Sequence, residues 1–291
     1  MKLIKPSYTI IEQDSGIEGI YKQIELAGRT CYKSESNITE DSAKGFVDRM
    51  IKSGHGAMLE HGTVYLTIPE WDERGLPIFP DSLADNPYTK SCLAYGIWHV
   101  TTNYRVLVEN NLLEYLKYLC NPTEYHEKRI TVKFICDRGV SHEFVRHRVF
   151  SFAQESTRYC NYSKDKFNNE ITFIIPNWLS YEEQQFTNKD DSSIRTDLSE
   201  NEFFIDCLLE AERTYNYLVE YCDWKPQQAR AVLPNALKTE LVMTGFINDW
   251  EHFFRIRSRI AETGKPHPQA QELADSLMDE FVKRGIMETL L

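Results

Sequence analysis

Few stretches of this 291-residue chain can be strands, and none alternates regularly with a helix. Three runs read as extended: TVYLTI at 63–68, TVKFIC at 131–136 and ITFIIP at 171–176. Helical patterns lie around them. Phe46, Val47, Met50 and Ile51 repeat at helical spacing over 42–52,. Leu112, Leu113, Leu116 and Leu119 predict one stripe on a helix over 102–119. Ser199 and Glu202 form a capping-box pattern before a long helix, in which Phe204, Leu208, Ala211, Tyr215 and Leu218 share a face,. Residues 237–260 read as largely helical, and a last helix runs through Leu273, Leu277 and Phe281 to a Gly285 cap,. Many helices and few strands, without alternation, predict an α+β fold: helices packed on a small mixed or antiparallel sheet. A doubly wound parallel sheet is disfavoured. Neither G-x-G-x-x-G nor G-x-x-x-x-G-K-[ST] occurs, so no dinucleotide fingerprint or P-loop is present,.

Charge and cysteine usage narrow the function classes. A formal net charge of -11 opposes a polyanionic partner, so nucleic acid is not expected,. The 7 cysteines are odd in number and none forms a C-x-x-C pair, which argues against a disulfide framework or a zinc knuckle,. Reduced thiols in a cytoplasmic protein are the expectation. No segment approaches the ~20 apolar residues of a membrane span. Residues 181–198 are polar and read as an exposed, mobile excursion,.

The chemistry concentrates in RHRVFSFAQESTRY. Arg146, His147 and Arg148 stand together, and Ser156 and Arg158 follow at a short distance. Guanidinium groups bind phosphate as a planar fork, and a serine hydroxyl with loop N–H groups can complete an anion site. Two phosphate-bearing ligands can therefore meet on one short stretch. His142 and His147 suggest a zinc helix, but their i, i+5 spacing turns them about 140° apart,. A metallohydrolase is thus a poor alternative.

The basic triplet with its spaced serine and arginine resembles the signature of the flavin-dependent thymidylate synthases. The similarity extends over roughly 20–69 and 129–284, through SGHGAMLEH, the A-R-x-x-L-P of KPQQARAVLP, and WEHFFRIRSRI. Residues 70–128 do not match the compact family core, so one domain over 1–291 with an insertion at 70–128 is expected. The resemblance implies that dUMP is reductively methylated to dTMP. Methylenetetrahydrofolate would be the carbon donor, FAD the hydride carrier and NADPH the reductant. It implies that His55, Ala57, Arg146, His147, Arg148, Gln154 and His252 hold the flavin. It assigns Glu143, Arg146, Gln154, Glu155, Ser156, Thr157, Arg158, Arg230 and Arg257 to dUMP, with Arg257 polarising the uracil ring. The family arginine matching Arg230 reaches the phosphate from a neighbouring subunit, and a homotetramer is implied. Two positions depart from the pattern: Ala57 lacks a common hydroxyl, and Asn248 stands where arginine is common. A nucleotide sensor that has lost turnover is the alternative that these departures leave open. No protein thiolate is implied, so Cys160 is expected to pack rather than react.

Overall fold

The computed structural model describes residues 1–164, 170–180, 183–185 and 199–290. The chain opens with strands β1 (Lys2–Ile4) and β2 (Ser7–Ile11), then helices α1 (Gly16–Tyr32), α2 (Ser42–Lys52) and the single turn α3 (Gly56–Leu59). Strand β3 (Thr63–Pro69), the turn α4 (Asp81–Ala84), strands β4 (Lys90–Ala94) and β5 (Ile97–Asn103), and α5 (Tyr104–Glu109) follow. Next come β6 (Arg129–Asp137), α6 (Arg138–Phe144), β7 (Ser151–Gln154), β8 (Thr172–Ile174) and β9 (Gln184–Gln185). The chain closes with α7 (Glu200–Glu220), α8 (Pro226–Ala229), β10 (Lys238–Phe246), α9 (Ile247–Arg257) and α10 (Pro268–Lys283). Apart from 183–185, which contain β9, the excursion expected at 181–198 lies outside the described residues.

The fold is α+β, with small sheets that share no single plane of strands. A four-stranded antiparallel sheet has the order β2-β6-β10-β7. A second antiparallel sheet, β3-β5-β4, includes part of the 70–128 segment. The third, β8-β1-β9, pairs β1 with β8 in parallel and with β9 antiparallel.

Strand β10 is the spine of the four-stranded sheet. Leu241 and Met243 pack with Val132 and Phe134 of β6 against Trp250, Phe253 and Phe254 of α9 and Leu277 and Phe281 of α10. On the opposite face Val242 meets Ala153 of β7 and Ala27 of α1. Gly245 lets Phe150 lie on the strand, because a Cβ there would stand 2.5 Å from the ring. Burial on both faces removes the polar–apolar alternation that marks a strand, which is why 237–260 read as helix. The correction is that 238–246 are strand and only Ile247–Arg257 are helical.

The helix expected over 102–119 is also corrected. Its first residues belong to β5, α5 ends at Glu109, and Leu113–Tyr118 form a 3-10 turn. Asn103 caps α5 by accepting from Val106 N, and Asn111 breaks it at φ 57. The leucines therefore do not line one face: Leu112 is buried and Leu113 is exposed. The capping box of Ser199 and Glu202 forms as expected. So does the Gly285 cap, with Gly285 N donating to Val282 O and Ile286 N to Phe281 O in a Schellman pair at φ 65,.

Candidate active site

The basic triplet occupies the turn between α6 and β7. Asp137 starts α6 by accepting from Val140 N at 2.7 Å. Buried Phe144 and Phe150 anchor both ends of the turn in the aromatic core. Between these anchors the side chains must diverge: Arg146 and Arg148 are exposed, and His147 is 7% exposed. No carboxylate of the described residues forms an ion pair with either arginine.

His147 faces inward, where α9 ends. Arg257 Nε donates to His147 Nε2 at 3.2 Å, across 110 positions of sequence. The same guanidinium donates to the Glu143 backbone oxygen at 3.0 Å and forms an ion pair with the Glu143 carboxylate. Accepting at Nε2 fixes His147 as the neutral imidazole with its proton on Nδ1. Burial, with the Arg257 charge and then His252 behind it, pushes the His147 pKa down to about 4. The two flanking arginines point elsewhere, Arg255 to Glu262 at 2.7 Å and Arg259 to Asp279. His252 is exposed on α9, its ring 6.2 Å from that of His147. Asn248 lies exposed one turn earlier.

The segment after the triplet leaves β7 along β10. Gln154 Nε2 donates to Ser141 Oγ at 2.8 Å and to Thr239 Oγ1 at 3.3 Å. Glu155 turns inward and is 2% exposed. Its carboxylate accepts from Lys238 Nζ at 2.8 Å and from the Tyr162 hydroxyl at 3.2 Å. Its N–H goes to Glu240 O at 2.8 Å, and that of Ser156 goes to Cys31 O at 3.0 Å. Two loop N–H groups that could have cradled a phosphate are therefore committed to the fold. Thr157 Oγ1 accepts from Arg230 at 2.9 Å, and Arg158 is exposed above the Tyr159 ring. Arg230 thus reaches the loop of its own chain. Cys160 is fully buried among Leu3, Phe173 and Tyr215.

His55 lies outside this loop. The Tyr32 hydroxyl is 3.2 Å from its Nδ1, and the Tyr32 ring packs on Tyr159 at 5.4 Å. Ala57, in α3, is exposed. The structure thus brings Glu143, His147 and Arg257 together, and Thr157 to Arg230. Among the described residues, Tyr32 and Tyr159 link His55 to the loop.

A charge cluster beneath the loop escaped the sequence reading. Glu240 accepts from Lys33 and from Lys238, each at 2.6 Å, and forms an ion pair with Lys133 at 2.5 Å. Burial alone would raise the Glu240 pKa, but the three ammonium groups hold it well below the usual carboxylate range. The lysines come from α1's end, β6 and β10, so no local spacing announces them. The one available signal was Lys133 and Glu240 inside apolar strand runs.

Two clefts flank α6. One, of about 300 Å³, is lined by Glu143, Trp178, Asn235 and His267. The other, of about 280 Å³, is lined by Arg138, His142, Thr157, Arg230 and Asn235. A larger cavity of about 430 Å³ lies elsewhere, beside Gln13, Tyr65, Cys120 and Arg129, and is lined by none of the expected site residues.

Comparison with known proteins gives the same direction. The family described as thymidylate synthase complementing protein matches residues 101–284. A flavin-dependent thymidylate synthase of Corynebacterium aurimucosum is 26% identical over 254 residues, covering 85% of this chain and 71% of its own length. One of Pyrococcus furiosus is 29% identical over 156 residues, 54% of this chain and 55% of its own. Among solved structures, a UMP/dUMP methylase of Streptomyces cacaoi bound with 5-Br dUMP aligns over 97% of this chain and 93% of that one. Its TM-score of 0.45 and 14% identity make it too distant to inform the site.

Proposed function

The chain belongs to the thymidylate synthase complementing protein family, and on that basis we propose that it methylates dUMP to dTMP with a flavin as hydride carrier. The observation that carries the reading is the contact of Arg257 with His147, which joins the ring-polarising arginine to the basic triplet. The residues present suit a flavin nucleotide. Arg146 and Arg148 are exposed without carboxylate partners among the described residues, as a diphosphate requires,. With them, His55, His252, Gln154 and the backbone at Ala57 would hold it. Bound there, FAD supplies the hydride, with NADPH as its reductant and methylenetetrahydrofolate as the source of the carbon.

The chain's own part is positioning and charge. Arg257 lies against the uracil and stabilises negative charge that builds on the ring as C5 gains electron density. Glu143 and His147 hold the guanidinium from two sides, so it need not reorganise during the reaction,. Neutral His147 does this without adding a competing positive charge. Ser156, Thr157, Arg158 and Arg230 take the nucleotide phosphate, and Gln154 takes its base or sugar edge. Glu155 acts from within, fixing the loop through Lys238 and Tyr162. The chain assembles as a homotetramer in this reading.

Purified protein, reconstituted with FAD, tests the proposal. A flavin absorption spectrum that bleaches with NADPH in the absence of oxygen is expected, together with dTMP formation from dUMP and methylenetetrahydrofolate. Protein that binds no FAD, or binds it and yields no dTMP, overturns the reading.

A further inference from the structure

The cleft of about 280 Å³ on the outer side of α6 has a wall chemistry that the assigned residues do not account for. Arg138, His142, Thr157, Arg230 and Asn235 line it, with Leu233 and Leu237 closing one side. No carboxylate is among its lining residues. In a chain of net charge -11, a concave site with two guanidinium groups and no acid is built for an anion,.

Arg138 is the residue left unexplained. Its backbone N–H is spent on Asn235 O at 2.9 Å and Leu237 O at 3.1 Å, which seats the start of α6 on the segment that follows Arg230. Its guanidinium makes no ion pair or side-chain hydrogen bond with the described residues. It is partly exposed at the cleft. Arg230, by contrast, is anchored on Thr157 Oγ1, which orients one guanidinium and leaves its remaining N–H donors for a ligand,. His142 stands one turn after Arg138 on the same side of α6,.

We propose that Arg138 is a further anion-binding residue, which with Arg230 and Thr157 receives the phosphate dianion of the nucleotide in this cleft. The inference rests on the reading of dUMP as substrate. The shared chemistry is a phosphate dianion, whether carried by dUMP or free. Two cationic forks on opposite elements, α6 and the turn after α8, grip one phosphate from two directions. The side chains thereby supply charge that the N–H groups of Glu155 and Ser156, spent on Glu240 O of β10 and Cys31 O of α1, do not.

The test compares wild type with Arg138→Met and Arg138→Lys in the FAD-loaded protein, with calorimetric titration of dUMP, deoxyuridine and inorganic phosphate. Arg138→Met is expected to bind dUMP about ten- to a hundredfold more weakly, the loss of a charge-assisted contact. Arg138→Lys should recover part of that loss. The salt dependence of dUMP affinity should become shallower in Arg138→Met, while deoxyuridine affinity and FAD retention stay unchanged. Thermal melting checks that each variant is folded. An unchanged dUMP affinity in folded Arg138→Met overturns the proposal, as does an equal loss for deoxyuridine. Should wild type bind inorganic phosphate in an Arg138-dependent way but not dUMP, the anion site stands and the substrate reading falls.

Discussion

At the scale of single residues, Arg257 is set apart from its neighbours by what they do: Arg255 and Arg259 are tied to Glu262 and Asp279 on the surface. Arg257→Ala should lower turnover by roughly a hundred- to a thousandfold while FAD stays bound, the usual cost of losing one donor to a developing anion. Steady-state kinetics with a flavin spectrum of the variant check this; near-normal turnover would reject the role. His147 makes a second prediction. It is neutral in the fold with a pKa near 4, against 6.5 for a free imidazole. Buried His61, depressed to about 3 chiefly by burial and then by Arg129, behaves alike. Below about pH 6.5 the unfolded chain takes up protons that the fold refuses, so stability falls as pH drops. For His147 the loss accumulates between about 6.5 and 4 and reaches at most about 3 kcal/mol. Urea unfolding at pH 7 and pH 5 should show the decline, and His147→Gln should flatten it in part. An equal slope in the variant would assign the acid sensitivity to His61 and His126, both depressed by burial. Cys160→Ser should keep most activity, since the thiol is buried in a packed cluster; dTMP formation by the variant is the check. Arg146, His147 and Arg148 stood out in the sequence because their spacing is local. The contact of His147 with Arg257 was not, since nothing in a sequence couples positions 110 apart.

Among the elements, β10 carries most of what was misread. Its apolar run gives no period because both faces are covered, and its one charged interior residue, Glu240, sits opposite lysines from two other elements. By contrast, the helix of Glu200–Glu220 was legible from its cap, because Ser199 and Glu202 satisfy each other within four residues. The α5 region failed for a related local reason: Asn103 and Asn111 are start and stop signals that the leucine pattern outweighed. Glu240→Gln should be costly, because three ammonium groups lose the anion they share. Breaking a buried ion pair in this way costs about 3–5 kcal/mol. Chemical denaturation measures it, and a loss below about 1 kcal/mol would mean that Glu35 and Glu155 take over the lysines. The effect should depend on pH as well. The carboxylate's depressed pKa makes its contribution full above the unfolded value of 4.5, and acid removes it as Glu240 protonates,.

For the whole molecule, the fold class was legible in the sequence and the layout was not. The α+β expectation follows from counting elements, whereas the division into three sheets depends on pairings such as β1 with β8, about 170 positions apart. Residues 70–128, expected as an insertion, supply β4 and β5 to a sheet begun by β3, and their apolar side joins the core of α1 and α2. If this segment is peripheral to catalysis, Trp98→Ala should lower thermal stability through its stack on Phe79 and leave dUMP affinity unchanged,. A matching loss of dUMP affinity in the folded variant would place the segment at the site. Sedimentation at micromolar concentration should give a species of four chains of 34.1 kDa each; a monomer that makes dTMP would refute the tetrameric reading.

The direct junction of β10 with α9 at Phe246 and Ile247 makes the chain from Lys238 to Arg257 a ruler. One end holds the loop after the basic triplet through Glu155, and the other places Arg257 against His147. Side chains along it can be exchanged, but its length cannot. One inserted residue in the strand would reverse the faces of Glu240 and Leu241, and one in the helix would swing Arg257 by about 100° away from His147. Insertions and deletions should therefore be lethal to activity between 238 and 257.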